Sequence, residues 1–338
     1  MKKRISQRDI ARRLGVNVSS VSRALNGLPG VSEELRQKVK QLAEQQDYLP
    51  NPFAMSLRYD TTRTIGIIVP DISFNHYAHI VKWIETEAKK NGYMCIVTDS
   101  GDKYADEVEA VEQLLSKHVE GIAICLSQET NDYAHLERVI QRNIPVVLFD
   151  RTADIGCSTV SVNDVESGRR ATLHLIDGGA QRIAFLGGPN KLKQTADRKH
   201  GYLEALRERG IPIRTELVRC GNVSFNAGLS ETLDLFDLPE PPDAIIADHG
   251  LLAISVLQAV YSRGLRVPQD VSVIGFMSDW VSDISFPRMT FIKQNLKEIG
   301  NKTFKLLFDQ INGNKIVKRI VVNARLNVKE STKSLIER

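Results

Sequence analysis

The chain has 338 residues, 42% of them hydrophobic and 25% charged, a composition that excludes disordered, collagen-like and membrane-embedded classes and allows about two folding units. Its net charge of +4 is unevenly spread: residues 1–60 hold four Lys and seven Arg against three Asp and three Glu, a balance of +5, so the other 278 residues sum to −1. A short basic segment ahead of a near-neutral body points to a polyanionic partner for that segment alone.

Three short helices open the chain. Ser6 is placed to cap the first, whose apolar positions Ile10, Ala11 and Leu14 recur at helical spacing and stop at Gly15. The second opens at Asn17 or Val18, buries Val21, Ala24 and Leu25, and ends near Asn26-Gly27. Ser32 starts the third, with Glu33 and Glu34 favourable in its first turn and Leu35, Val39, Leu42 and Ala43 as its buried stripe. Residues 49–62 read as a linker punctuated by Pro50-Asn51-Pro52. The following Phe53–Arg58 stretch is long enough for one or two helical turns, too few to be stable alone in water.

From Thr64 the pattern changes to short continuous apolar runs alternating with helix-period segments. Ile65–Val69, Met94–Val97, Ile122–Cys125 and Val146–Phe149 are read as buried parallel strands, with helices over 77–91, 104–117 and 132–142 between them. A second series runs through helix 164–178, Ile183–Leu186, helix 195–209, a strand near 217–220, helix 225–236, Ala244–Ala247, helix 250–263 and Val271–Ile274. Two such series predict an α/β region of two parallel-sheet lobes, with helices on both faces. The cleft beyond the carboxyl ends of their strands is the expected ligand site.

Cys95, Cys125, Cys157 and Cys220 have no C-x-x-C or C-x-x-H spacing and are expected to be reduced and packed. The N-terminus has positive charge but no apolar stretch behind it, and no run approaches the length of a membrane span, so a cytoplasmic protein is expected, associated with the nucleoid when bound to DNA. No nucleophile elbow, P-loop or dinucleotide fingerprint is present, so neither an enzyme nor a cofactor is expected. His76 and His79 lack a third ligand and read as pocket or surface histidines rather than a metal site; Trp83 and Trp280 read as packing residues, with lining of the cleft the alternative for Trp280, just past Gly275-Phe276.

Gly15 to Arg23 is the most informative stretch. Gly15 permits a tight turn between two helices and Val16 and Val21 pack its corner, which places Val18, Ser19 and Ser22 on the outer face of the second helix. Small side chains there let a backbone lie deep in a major groove. Hydroxyls meet base edges or phosphates, a valine methyl meets thymine, and Arg23 reaches guanine or phosphate.

Asp9-Ile10-Ala11, Gly15-Val16, Val21–Asn26, Val31-Ser32 and Tyr48–Pro52 together resemble the headpiece of the LacI/GalR family of bacterial repressors. The resemblance continues through Ile65–Asp71, Gly264–Pro268 and Val271–Phe276, and so covers nearly the whole chain. It implies a helix-turn-helix DNA-binding domain over 1–48, a hinge helix and linker over 49–62, and over 63–330 a two-lobed effector-binding and dimerisation domain of the type I periplasmic-binding-protein kind. The implied protein is a homodimeric regulator, a repressor of palindromic operators. By this resemblance Val18 and Ser19 choose the operator sequence and Arg23 adds a base contact. Ser6, Asn17, Ser20, Ser22 and Asn26 position the headpiece on the backbone. In the hinge Asn51 and Ala54 meet DNA, and Leu57 wedges into the minor groove.

The resemblance also implies the effector contacts Phe74, Asp150, Arg198, Val223, His249, Met277 and Gln294. A carboxylate at Asp150 and a guanidinium at Arg198 facing each other across a cleft suit a polyhydroxylated ligand, so a sugar or sugar derivative is expected. Met277 stands where an Asp is common, His249 where an Asn is, Val223 where an aromatic is, and Phe74-Asn75-His76-Tyr77 replaces the usual Asn-Pro-Phe-Phe. These departures make the cleft less acidic and favour a modified, acidic or phosphorylated sugar. The alternative for residues 63–330 alone, a sugar-binding protein without DNA function, has no use for residues 1–58.

Overall fold

A computed structural model describes residues 5–48, 61–277 and 279–333, the side chain of Trp280 aside. The expectations for Asn51, Ala54, Leu57 and Trp280 therefore lie outside the described residues. The chain divides into two compact units between Thr62 and Arg63.

The first unit holds α1 (Gln7–Leu14), α2 (Val18–Leu25) and α3 (Glu33–Gln45). Ser6 and Asp9 form a reciprocal capping box on α1, and Gly15 ends that helix at φ +64°, a left-handed conformation that any Cβ would strain. Ser32 caps α3 through the Leu35 amide. The core is small: Ile10, Ala11, Val21, Ala24, Val39 and Ala43 are buried, flanked by Leu14, Val16, Leu25, Leu35 and Leu42. With so little apolar area, each of these side chains carries a large share of the unit's stability.

The second unit is built on two six-stranded sheets. The first has the order β11 (Arg319–Val322), β5 (Ser158–Val162), β4 (Val146–Phe149), β3 (Ile122–Ile124), β1 (Thr64–Val69) and β2 (Met94–Asp99). The second has the order β12 (Arg325–Asn327), β10 (Thr290–Lys293), β9 (Ser272–Phe276), β8 (Ala244–Ala247), β6 (Ile183–Gly187) and β7 (Val218–Cys220). The neighbours in both pair in parallel, except that β12 runs antiparallel to β10. That edge strand departs from the all-parallel expectation, because the chain returns to the second sheet directly after β11 with no helix to reverse it.

The intervening helices are α4 (Asn75–Lys90), α5 (Tyr104–Ser116), α6 (Ala134–Gln141), α7 (Asp164–Asp177), α8 (Lys193–Glu208), α9 (Phe225–Phe236), α10 (Gly250–Ser262), α11 (Asp279–Ile284) and α12 (Leu296–Ile311). The chain passes between the sheets after β5, after β10 and after β11. The first two crossings share one device: Asn163 and Asn295 each cap the following helix, by accepting the amide of Glu166 or Glu298. Each crossing therefore delivers a helix start to the mouth between the lobes. Trp83 packs on α12, whose Gly300 lies so close that a Cβ there would stand 2.7 Å from the Trp83 Cβ.

Candidate functional site

In the headpiece α2 presents its N-terminal turn outward. Asn17 is the exposed N-cap and makes no side-chain cap bond, Val18 is 40% exposed, and Ser19 and Arg23 lie one turn apart on the exposed stripe. Ser20 is half-buried. Arg23 lies along the loop to α3, where a Cβ on Gly30 would stand 3.1 Å from its Nη1.

One headpiece expectation needs correction. Ser22 is only 2% exposed and does not belong to the outer face: it flanks Val21 and Leu25 on the helical wheel, and its carbonyl accepts the Asn26 side-chain amide at 2.8 Å. The Ser6 hydroxyl is engaged within its own helix cap, donating to Asp9 Oδ2 at 2.6 Å while accepting the Asp9 amide. Asn26 is exposed, with its amide tied back to α2. What faces outward is thus Asn17, Val18, Ser19 and Arg23, a small uncharged patch with one cation at its edge.

In the second unit the strand ends gather the remaining residues. Asp150 follows β4 with φ +60°, a conformation that a short polar side chain tolerates, and is nearly fully buried. His76, on the first turn of α4, brings Nε2 to 3.2 Å from Asp150 Oδ1, and the Cys125 Sγ lies 3.9 Å from Oδ2. Burial pushes the Asp150 carboxyl up, but the His76 ring, a hydrogen bond from Gln194 and the nearby Arg151 outweigh it and hold the group well below the usual carboxylate range. Gln194 belongs to α8 beside the second sheet, so this bond spans the lobes. Oδ1 nonetheless has no well-aligned hydrogen-bond donor. Arg151, the next residue, donates to Asp102 and to the Leu126 carbonyl, tying together the ends of β2, β3 and β4. Phe74, the N-cap of α4, is 47% exposed at the rim.

Arg198 is buried on α8. Its Nε donates to Asp164 at 2.8 Å, its Nη1 to the Asp248 carbonyl at 2.6 Å, and its guanidinium sits 4.3 Å over the Phe276 ring. Asp150 and Arg198 each have a close partner, His76 for the carboxylate and Asp164 for the guanidinium, and Asp150 is near enough to act on the Arg198 charge. Burial raises the Asp164 carboxyl more than Arg198 lowers it, leaving it above its ordinary value. Burial works against the Arg198 cation, yet Asp164 and Asp248 raise its pKa overall.

Asp248, directly after β8, is fully buried and accepts from the Gly188 amide, the Thr195 hydroxyl at 2.8 Å and His249 Nδ1. Burial raises its carboxyl, but His249, Arg198 and Thr195 more than compensate and lower it. His249 is half-exposed at the N-cap position of α10, without a side-chain cap bond; with Val223 and Thr195 it crowds Gly188, where a Cβ would stand 3.0–3.2 Å from each. Met277 needs correction as a contact. Its terminal methyl turns back into the second lobe's core, 2.3 Å from where a Cβ on Gly275 would stand, because that glycine leaves a hole beside Ala253 and Met289. Gln294 lies just past β10, with Nε2 buried and unpartnered.

Sequence reasoning missed Asp164, Gln194, Thr195 and Asp248 as members of this site. Asp248 was visible by the signal that found Asp150, a carboxylate immediately after a buried apolar strand; the others depend on helix packing. Among the described residues no group of three or more His, Cys, Asp or Glu is arranged to hold a metal ion, and no helix is long and apolar enough to cross a membrane.

An outward helix-turn-helix face on one unit and buried, partly unpaired polar groups between two parallel sheets on the other define a ligand-responsive DNA-binding regulator. Residues 7–51 match the bacterial regulatory proteins of the lacI family, and residues 172–332 match a periplasmic binding protein-like domain. The chain is 30% identical to the HTH-type transcriptional repressor CytR of Escherichia coli K12, over 98% of its own length and 97% of the relative's. It is 31% identical to catabolite control protein A of Priestia megaterium, over 96% and 98%. Its fold matches the lac repressor dimer bound to operator and the anti-inducer ONPF, with TM-score 0.88 at 24% identity, covering 98% of this chain and all of that one. It also matches a complex of the regulator CelR with cellobiose, with TM-score 0.73 at 27% identity, covering 97% and 100%. The chain belongs to the lacI family. It is a DNA-binding transcriptional regulator, and not an enzyme.

Proposed function

We propose that the protein is a cytoplasmic homodimer that represses from a palindromic operator, with α2 of each copy in successive major grooves, and that releases or gains DNA when a sugar or sugar derivative enters the cleft. The domain limits are those of the sequence reading: 1–48 binds DNA, 49–62 is the hinge, and 63–330 binds effector. Asn17, Val18, Ser19 and Arg23 read the operator. Ser6, Ser20 and Asn26 position the headpiece on the DNA backbone, Ser22 supports the helix from its buried face, Asn51 and Ala54 contact DNA, and Leu57 wedges into the minor groove. Phe74, Asp150, Arg198, Val223, His249 and Gln294 surround the effector, while Met277 shapes the wall beneath it. Ile284 and Phe286, 72% and 86% exposed on the second lobe, supply apolar area suited to a second copy.

The observation that carries the effector reading is the buried Gln294 Nε2, which has no partner, together with the buried Asp150 carboxylate, whose Oδ1 faces the His76 ring at 3.2 Å, each just past the carboxyl end of a strand in its own sheet. Native interiors rarely leave an amide N–H such as that of Gln294 without a partner, and a ligand hydroxyl can accept from it. Operator binding by fluorescence anisotropy, titrated with a sugar panel, tests it. One sugar should shift operator affinity, and Gln294→Ala should weaken that shift while basal affinity stays the same. A panel that changes neither operator affinity nor thermal melting overturns the sugar reading.

A further inference from the structure

Asp150 holds its carboxylate from a left-handed backbone, φ +60°. A residue with a Cβ adopts that conformation only at a cost, so neighbouring contacts must fix it there. On its amino side the hold is β4 itself, and the Asp150 amide donates to the Val160 carbonyl at 2.9 Å. On its carboxyl side the Arg151 carbonyl accepts only a long bond, from the Leu126 amide at 3.4 Å, and the firmer hold is the Arg151 side chain. Its Nη1 donates to Asp102 Oδ1 at 2.5 Å and to the Leu126 carbonyl at 3.4 Å, with the guanidinium 6.0 Å from the Tyr77 ring centroid. Arg151 Nε is buried and makes no hydrogen bond, so the grip comes through Nη1. Asp102 is itself left-handed, at φ +61°, with its amide on the Pro70 carbonyl at 2.8 Å. Its turn follows β2, and its Oδ1 also accepts the Gln128 amide at 2.8 Å.

Asp102 is not the main anchor of the loop after β3. That loop has its own in the fully buried Glu107 of α5, which accepts the Ser127 amide at 2.6 Å and the Thr130 hydroxyl at 3.0 Å and lies 2.9 Å from His135 Nε2. What depends on Asp102 is Arg151, and through it residue 150. We propose that Asp102 is a positioning residue for the cleft carboxylate: by pairing with Arg151 it pins the chain directly after Asp150, and so keeps Asp150 turned toward His76 and the effector. A charge-assisted bond suits that task, because it holds its geometry more firmly than a neutral one. The Asp102 side chain is 25% exposed, so the pin can be removed from the surface without opening a core. This inference rests on the effector reading above, which gives Asp150 its purpose.

Asp102→Gly is the informative variant, because glycine takes φ +61° without strain and only the carboxylate is lost. The ligand-free arm is hydrogen exchange on the full chain. The amides of Asp150 and Leu126 should exchange at least about tenfold faster in the variant, while those of β1 and β6 keep their wild-type rates. Asp102→Asn, whose side-chain oxygen still accepts from both donors, should recover most of the protection. Arg151→Lys, which keeps the charge but loses the guanidinium fork, should expose the same two amides and covers the case in which the glycine variant fails to fold. No change at Asp150 and Leu126, or an even rise throughout the first lobe, overturns the pin. The ligand arm is calorimetry with ribose, cellobiose, glucuronate and glucose 6-phosphate. A probe that binds the wild type should bind Asp102→Gly and Asp150→Asn each about tenfold more weakly, and the double variant no more weakly than Asp150→Asn alone. Additive losses in the double variant would mean that Asp102 acts apart from Asp150, and overturn the positioning role. If none of these probes binds the wild type, the sugar reading falls, while exchange still decides the pin.

Discussion

Gly201 on α8 faces Val165 on α7 so closely that a Cβ on the glycine would stand 1.9 Å from the valine carbonyl oxygen. The same crossing brings Gly168 of α7 within 2.0 Å, by the same measure, of the Arg198 carbonyl oxygen. Two glycines thus set the spacing of the helices that carry Asp164 and Arg198, and so the placement of the buried ion pair. Gly201→Ala should force the helices apart, lowering stability by about 1–3 kcal/mol, which thermal melting measures. It should also weaken effector binding through displacement of Arg198. Wild-type melting with wild-type effector affinity would show that the crossing is not what places the guanidinium.

The cleft carboxylates make stability fall on the acid side. Asp150 and Asp248 are both depressed, so as pH drops the unfolded chain takes up their protons before the native one does. Their contribution is complete above the ordinary aspartate value of about 3.9 and is lost as pH falls below it. Asp164, raised by burial, has the opposite sign and loses its contribution as pH rises through its native value. Asp248→Asn should cost about 2 kcal/mol at neutral pH and give a shallower decline of melting temperature below pH 4. An unchanged acid slope in that variant would count against Asp248 as an ionised buried group.

The headpiece makes a split prediction for two serines. Ser19→Ala should weaken operator binding by about 1 kcal/mol with melting unchanged, because the side chain is exposed on the reading face. Ser22→Ala should act first on the melting of the headpiece, because that side chain is buried beside Val21. The reverse assignment of the two effects would place the reading face elsewhere on α2.

Arg23→Ala should cost about 1–3 kcal/mol of operator affinity and relax specificity if the guanidinium reads a base. An equal loss on operator and random DNA would make it a phosphate contact. Binding should also weaken steeply with added salt, as several Lys and Arg displace counterions from the duplex.

Much of this protein is written locally. The caps at Ser6 and Ser32, the turn at Gly15 and the apolar runs of β1, β3, β4, β6 and β8 are short-range patterns, and the elements that periodicity places stand within a few residues of it, whereas β5, β10, β11, β12, α11 and α12 are not placed from sequence. The resemblance that marks a repressor likewise rests on contiguous motifs, as does Asp150 directly after β4. Tertiary structure alone decided the rest, because it depends on groups distant in the chain. Arg198 answers to Asp164, 34 residues away, and to the carbonyl of Asp248, 50 away. Asp248 is occupied by Gly188, 60 residues earlier. Burial also reassigned residues that sequence placed by type: Ser22 turned inward on a helix with too few apolar side chains to cover its core, and Met277 folded its flexible thioether into the space beside Gly275. A polar residue after a strand is a candidate contact by position, but which of its hydrogen bonds remain open is set by neighbours that only the folded chain brings near.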